Sequence, residues 1–265
     1  MSAVLAGTNG VNKTASGTVT LSRANNYSGT TTVSSGTLTA ATAGATGNTS
    51  NVVINNGGSF LVTADDAIGT NTDIELNGGT LAFGAAGYDG YVGALTLSAN
   101  STIDLGTSSN GVLIRFNSIN WNNPNALLSI YNWTGNTYYQ GGYDNNLDKV
   151  IFTDSANLSS VELQRINFYS GMDQSSFVGN AFLIQGGAYP NQIIAVPEPE
   201  TYLTGVILLL GGTIYLFRRA KHWEGNRPAW PKFLHGIRRT TPRHHYAQKP
   251  PEPHLTQKGA WWSRA

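Results

Sequence analysis

Cysteine is absent from the chain, which rules out a disulfide framework, a thiol nucleophile and thiolate metal sites. Charge is scarce as well: Asp, Glu, Lys and Arg make up 12% of the sequence, against roughly 25% in ordinary soluble domains. Histidine is missing from everything before residue 222, and all five (His222, His235, His244, His245, His254) lie near the C-terminus. The long N-terminal part therefore has no means of building a Ser–His hydrolase or a His-based zinc or iron site. No cofactor and no metal is expected. Met1–Gly7 does not read as a secretory leader, because it offers neither a basic start nor an apolar core of roughly 7–15 residues. Residues 1–16 are accordingly expected to be a disordered or truncated N-terminus.

Gly, Thr, Ser and Asn supply the polarity that charge does not. They recur in order. Val33-Ser34-Ser35-Gly36-Thr37-Leu38, Ile54-Asn55-Asn56-Gly57-Gly58-Ser59-Phe60, Leu76-Asn77-Gly78-Gly79-Thr80-Leu81 and Leu97-Ser98-Ala99-Asn100-Ser101-Thr102-Ile103 share an apolar strand, a Gly/Asn corner and a hydroxyl residue before an apolar one. Aligned on Thr37, Ser59, Thr80 and Thr102, the spacings are 22, 21 and 22 residues. Gly17-Thr18-Val19-Thr20-Leu21 is a less regular copy. A constant period of this length, built from short strands and glycine corners, predicts an all-β fold: a β-solenoid of ~22-residue coils over 17–111. Because successive side chains alternate faces, Leu38, Phe60, Leu81 and Ile103 are predicted to stack in one inward file, and Ile54, Leu76 and Leu97 in another. An antiparallel sandwich of hairpins would also use short strands and frequent turns; the matching residue types at constant spacing favour the solenoid.

The stretch from Leu21 to Leu38 carries Asn25-Asn26-Tyr27-Ser28-Gly29, the run Thr30-Thr31-Thr32 and Ser35-Gly36-Thr37-Leu38. It resembles the autotransporter-associated β-strand repeat, and the resemblance implies a passenger-like β-helix. From Val112 the period fails and aromatics gather: Phe116, Trp121, Trp133, Tyr138, Tyr139, Tyr143, Phe152, Phe168 and Tyr169. Residues 112–195 are expected to cap the last coil, whose strand edges and open core need cover. Within them Leu158–Ile166 has helical spacing, with a Ser cap and Glu162 in the first turn.

The C-terminal part changes character abruptly. Thr201–Phe217 holds no charge, and as a helix its seventeen residues would span about 26 Å, a little short of the ~30 Å hydrocarbon core. Residues 1–217 carry five Lys/Arg against thirteen Asp/Glu, whereas 218–265 carry eleven against two. The basic excess just past an apolar run predicts a single transmembrane helix over 201–217 with the tail in the cytoplasm and the N-terminal part outside. Pro197-Glu198-Pro199, the apolar span and Arg218-Arg219-Ala220-Lys221 resemble, in that order, the PEP-CTERM sorting signal. The resemblance implies a sorting motif at Pro197, Glu198 and Pro199, a membrane-anchor stop at Arg218, Arg219 and Lys221, and an exosortase-type processing enzyme as partner. It also implies inner-membrane anchoring before processing and release to the cell surface or extracellular matrix afterwards. Residues 222–265 lack apolar periodicity and read as a disordered basic tail, or as the product of reading past the original frame. A nucleic-acid partner is not expected.

Carboxylates are the one catalytic resource left. Asp65-Asp66 and Asp89 fall about one repeat apart, so neighbouring coils could bring them together as a glycoside-cleaving pair, although turn formation accounts for them equally well. Asp144-Asn145-Asn146-Leu147-Asp148 has calcium-loop oxygen spacing but lacks the required Gly and Glu, and reads as a turn. The sequence thus predicts a non-catalytic, exported, adhesin-like structural protein with exopolysaccharide as a candidate partner. The alternative is a carbohydrate-active β-helix enzyme.

Overall fold

Each alternating segment in the sequence becomes a strand in the computed structural model, which describes residues 3–84, 86–135, 148–185 and 189–196. The chain divides into two units, Met1–Leu209 and Leu210–Ala265, and every described residue belongs to the first. Corresponding strands of successive coils pair in parallel, as a solenoid requires and a hairpin sandwich forbids. One sheet has six strands, Val11–Lys13, Thr31–Val33, Asn51–Asn55, Asp73–Asn77, Leu95–Leu97 and Ile119–Trp121. A second sheet has twelve. Its first run is parallel, through Thr18–Leu21, Gly36–Ala40, Gly58–Val62, Thr80–Phe83, Ser101–Asp104, Leu128–Tyr131 and Ile166–Tyr169.

The register repeats the spacing of the sequence motifs. Thr37 pairs with Ser59, Ser59 with Thr80, and Thr80 with Thr102. Leu38, Phe60, Leu81 and Ile103 therefore stack as predicted, all with no exposed surface, and the file runs on through Ile130 to Phe168. Val33, Ile54, Leu76 and Leu97 form the second file, equally buried. Removing each such side chain from water contributes about 1.5–3 kcal/mol, and only stacked neighbours provide the cover. The corners recur too: Gly36, Gly57 and Gly78 all have positive φ (65°, 85° and 88°). At Gly58 a Cβ would lie 2.3 Å from the Val33 carbonyl oxygen, so the coils approach too closely there for any side chain.

Two boundaries differ from the sequence expectation. Residues 1–16, expected to be disordered or truncated, contain Val11–Lys13, which pairs with Thr31–Val33, and Ala6–Gly7, which pairs with Asn26–Tyr27. Alternation over two or three residues is too short to read, and the inward file position opposite Val33 holds Lys13. That ammonium is 6% exposed and donates to the carbonyls of Ala15 and Ser35, the latter at 2.9 Å. At the other end, parallel stacking continues past Val112. Ile119–Trp121 pairs with Leu95–Leu97, and Leu128–Tyr131 pairs with Ser101–Asp104. Tyr88–Val92, Val112–Phe116 and Lys149–Phe152 build a third parallel wall.

Closure comes from an antiparallel pair, Phe177–Ile184 with Gln192–Val196. The first of these strands pairs with Ile166–Tyr169 and the second with Lys149–Phe152, so the pair joins two walls of the stack and occupies edges that would otherwise be open. Aromatics fill the core beside it: Phe116 stacks on Phe152 at 5.5 Å and Trp133 tilts against Phe168 at 4.5 Å. Tyr138, Tyr139 and Tyr143 lie outside the described residues. The expected helix forms over Ser160–Leu163 and lies against Phe177–Ile184. Ser159 caps it in a full capping box with Glu162.

Candidate functional site

Thr37, Ser59, Thr80 and Thr102 alternate with buried residues and so stand on the outer face of their sheet, in one line with Thr18, Ser129 and Asn167. Amides line the corners. Asn77 donates to the Asn55 Oδ1 at 3.0 Å, and Asn48 to the Asn26 Oδ1 at 2.7 Å. On the six-stranded sheet Glu75, Thr96 and Asn120 form a further outward line. The Glu75 carboxylate accepts from Ser98 at 2.8 Å.

Where that sheet ends, a groove of about 790 Å³ opens over Glu75, Thr96, Asn120 and Trp121, with Asn157 and Glu162 on its far wall. Trp121 follows Leu97 in the inward file but is only half-buried, and its Nε1 is enclosed without a hydrogen-bond partner among the described residues. The Arg165 guanidinium lies 6.0 Å from the ring centroid. A second depression of about 760 Å³ is lined by amides, among them Asn55, Asn77, Asn100 and Asn123.

Neighbouring coils do bring the loop carboxylates together, in structural roles. The Asp65 Oδ1 accepts the Asp89 N–H at 2.9 Å, and Asp89 forms an ion pair with Arg115 at 2.5 Å. Arg115 in turn lies 4.6 Å from the Tyr91 ring centroid. Asp66 occupies a turn at φ 52°. Beside them the buried Tyr88 hydroxyl is pushed up, mostly by desolvation and further by Asp66, Asp65 and Asp89. That hydroxyl has no hydrogen-bond partner among the described residues.

Asp148 is a residue whose part the sequence concealed. Its carboxylate is 3% exposed and accepts from the Val112 N–H at 2.8 Å, the Thr134 N–H at 2.8 Å and the Thr134 hydroxyl at 2.7 Å. Standing just before the strand Lys149–Phe152, it fastens the start of that coil to both ends of the coil before it, at Val112 and at Thr134. Burial pushes its carboxyl above the ordinary value; the three hydrogen bonds and Lys149 pull it back incompletely.

Pro197, Glu198 and Pro199, the span 201–217, Arg218, Arg219 and Lys221 and the tail 222–265 all lie outside the described residues. Among the described residues, no helix is long and apolar enough to cross a membrane. Among them too, no three His, Asp or Glu side chains gather as metal ligands.

No protein-family model matches the chain, and no solved structure matches it significantly. The adhesin BmaC autotransporter of Brucella suis biovar 1 (strain 1330) is similar: it is 35% identical over 112 residues, which is 42% of this chain and 3% of that protein. The matched stretch thus corresponds to a small piece of a far longer protein, and that likeness together with this chain's own parallel β-solenoid fits autotransporter-like repeats.

Proposed function

We propose that the protein is a non-catalytic, adhesin-like structural protein of the cell surface or extracellular matrix. The observation that carries this reading is the likeness to an adhesin in a chain whose coil stack turns hydroxyl and amide lines outward. Such lines offer many weak hydrogen-bonding positions at a repeat of ~4.8 Å, the property adhesion needs and one that catalysis does not use. The carboxylates an enzyme would need are engaged: Asp89 with Arg115, and Asp65 with the Asp89 N–H.

Delivery rests on the sequence. The tripartite stretch over 196–221 anchors the chain in the inner membrane through 201–217, with Arg218, Arg219 and Lys221 on the cytoplasmic side. An exosortase-type enzyme then acts near Pro197-Glu198-Pro199. Expression of the full chain behind a secretory leader in an exosortase-bearing bacterium tests this. Replacing the three motif residues with Ala should hold the protein in the inner membrane and cut its surface-accessible fraction at least about tenfold, since arrest at one step removes the flux through it. Recovery of the unaltered protein from the soluble cytosol, with none extracted by detergent, would overturn the reading.

A further inference from the structure

We propose that the groove at the Ile119–Trp121 end of the six-stranded sheet binds a neutral glycan chain. The groove exists because the coil changes there. Every earlier strand of that sheet is followed by another, but beyond Ile119–Trp121 the chain passes as a loop and the helix Ser160–Leu163. Asn157 fastens this segment to the sheet, its amide donating to the Ile119 carbonyl at 3.1 Å and contacting the Asn120 Oδ1 at 3.4 Å. The outward side chains of the sheet make a floor, the loop makes a wall, and about 790 Å³ lies between them. That is a volume typical of ligand sites, which run from roughly 300 to 1,000 Å³.

The lining selects the ligand. Asn120 presents its amide N–H donors, Asn157 its carbonyl oxygen, Thr96 a hydroxyl, and Glu75 and Glu162 acceptors alone. Sugar hydroxyls donate and accept at once, so a polyhydroxylated chain satisfies such a surface. Trp121 adds an apolar plane. Part of its ring borders the groove, where it can lie against the C–H face of a sugar ring. An anionic polymer meets the carboxylates of Glu75 and Glu162, with the Arg165 guanidinium beside the Trp121 ring, and two acids against one base among the described residues disfavour acidic polysaccharide and nucleic acid alike. The site also suits a polymer better than a monosaccharide. Asn122 lines the groove and its sequence neighbour Asn123 lines the amide depression of about 760 Å³.

This inference deepens the adhesive reading by giving it a site and a ligand class, and it stands or falls apart from delivery. The test uses the full chain, labelled with ¹⁵N at tryptophan and held in a non-glycosidic detergent. It is titrated with cellohexaose, laminarihexaose and maltohexaose, and with a hexagalacturonate as the acidic counterpart. Trp121→Phe identifies the Trp121 indole signal. At least one neutral hexaose should shift that signal saturably. Asn120→Ala and Glu162→Gln should each weaken binding about fivefold, the loss of one or two hydrogen bonds, with the melting midpoint unchanged; Gln still serves the capping box. The proposal is overturned if no neutral hexaose moves the signal. It is overturned equally if the acidic one binds as tightly, or if both variants bind as the unaltered chain does. Binding by a protein that stays in the cytosol would sink the delivery scheme and leave the groove intact.

Discussion

The coils up to Asp104 and the coils after it solve the same problem with different means. Between Thr37 and Thr102 the steps are 22, 21 and 22 residues; the next steps, Thr102 to Ser129 and Ser129 to Asn167, are 27 and 38. In the first region register is fixed by repetition, since each coil offers the same hydroxyl, apolar and glycine positions to its neighbour. In the second it is fixed by particular side chains: the Asp148 carboxylate, the Phe116–Phe152 stack, and an antiparallel pair that ends the parallel order. Repetition makes coils interchangeable. Individual fastenings make them unique.

The largest effect should come from deletion. Excising residues 59–79 joins Gly58 to Thr80 and restores the corner motif, so the shortened chain should still unfold in one cooperative transition, a few degrees lower. Removing 177–196, a stretch of similar length, uncovers the edges of two walls and should abolish that transition in thermal circular dichroism. Equal tolerance of both deletions would erase the distinction between the regions. Next in size, Phe60→Ala empties a fully buried position in the middle of a file and should lower stability by about 3–5 kcal/mol in urea unfolding.

Asp148→Ala should cost roughly 1–3 kcal/mol, because the buried Val112 N–H is left unmet. The sign of its pH dependence is opposite to that of a salt-bridged carboxylate. A carboxyl raised on folding contributes stability that is complete below its unfolded value and is lost as pH rises through the folded one. The urea midpoint should therefore fall as pH climbs from the ordinary Asp range upward, and Asp148→Asn should flatten that part of the profile. Smallest of all, Asp89→Asn breaks an ion pair whose acid is 65% exposed, and should change stability by at most about 1 kcal/mol. Combined with Asp66→Asn it should leave polysaccharide turnover unaltered; a loss of turnover would restore the enzyme reading.

The regular region is legible because its residues repeat where its atoms stack. Both inward files and the glycine corners follow from residue spacing alone. The coil built from 6–13 does not, since its strands are two and three residues long and Lys13 breaks the apolar file. The stacking beyond Val112 is hidden by loops that stretch the period. Asp148 stands in an Asn/Asp-rich run that reads as a turn, and only its burial shows what it fastens. The groove escapes a linear reading because its residues come from different coils: Glu75, Thr96 and Asn120 lie far apart in sequence from Asn157 and Glu162. Trp121 alone stands out, as one aromatic among many.

Register pairing has a mechanical corollary. Pulled by its ends, a chain wound in coils that touch only their neighbours should yield turn by turn, with a drop in tension as each one peels away. Every regular turn would release about 75 Å of extended polypeptide at ~3.4 Å per residue, and the two later ones about 90 and 130 Å. A tether that lengthens in such increments absorbs shear without letting go.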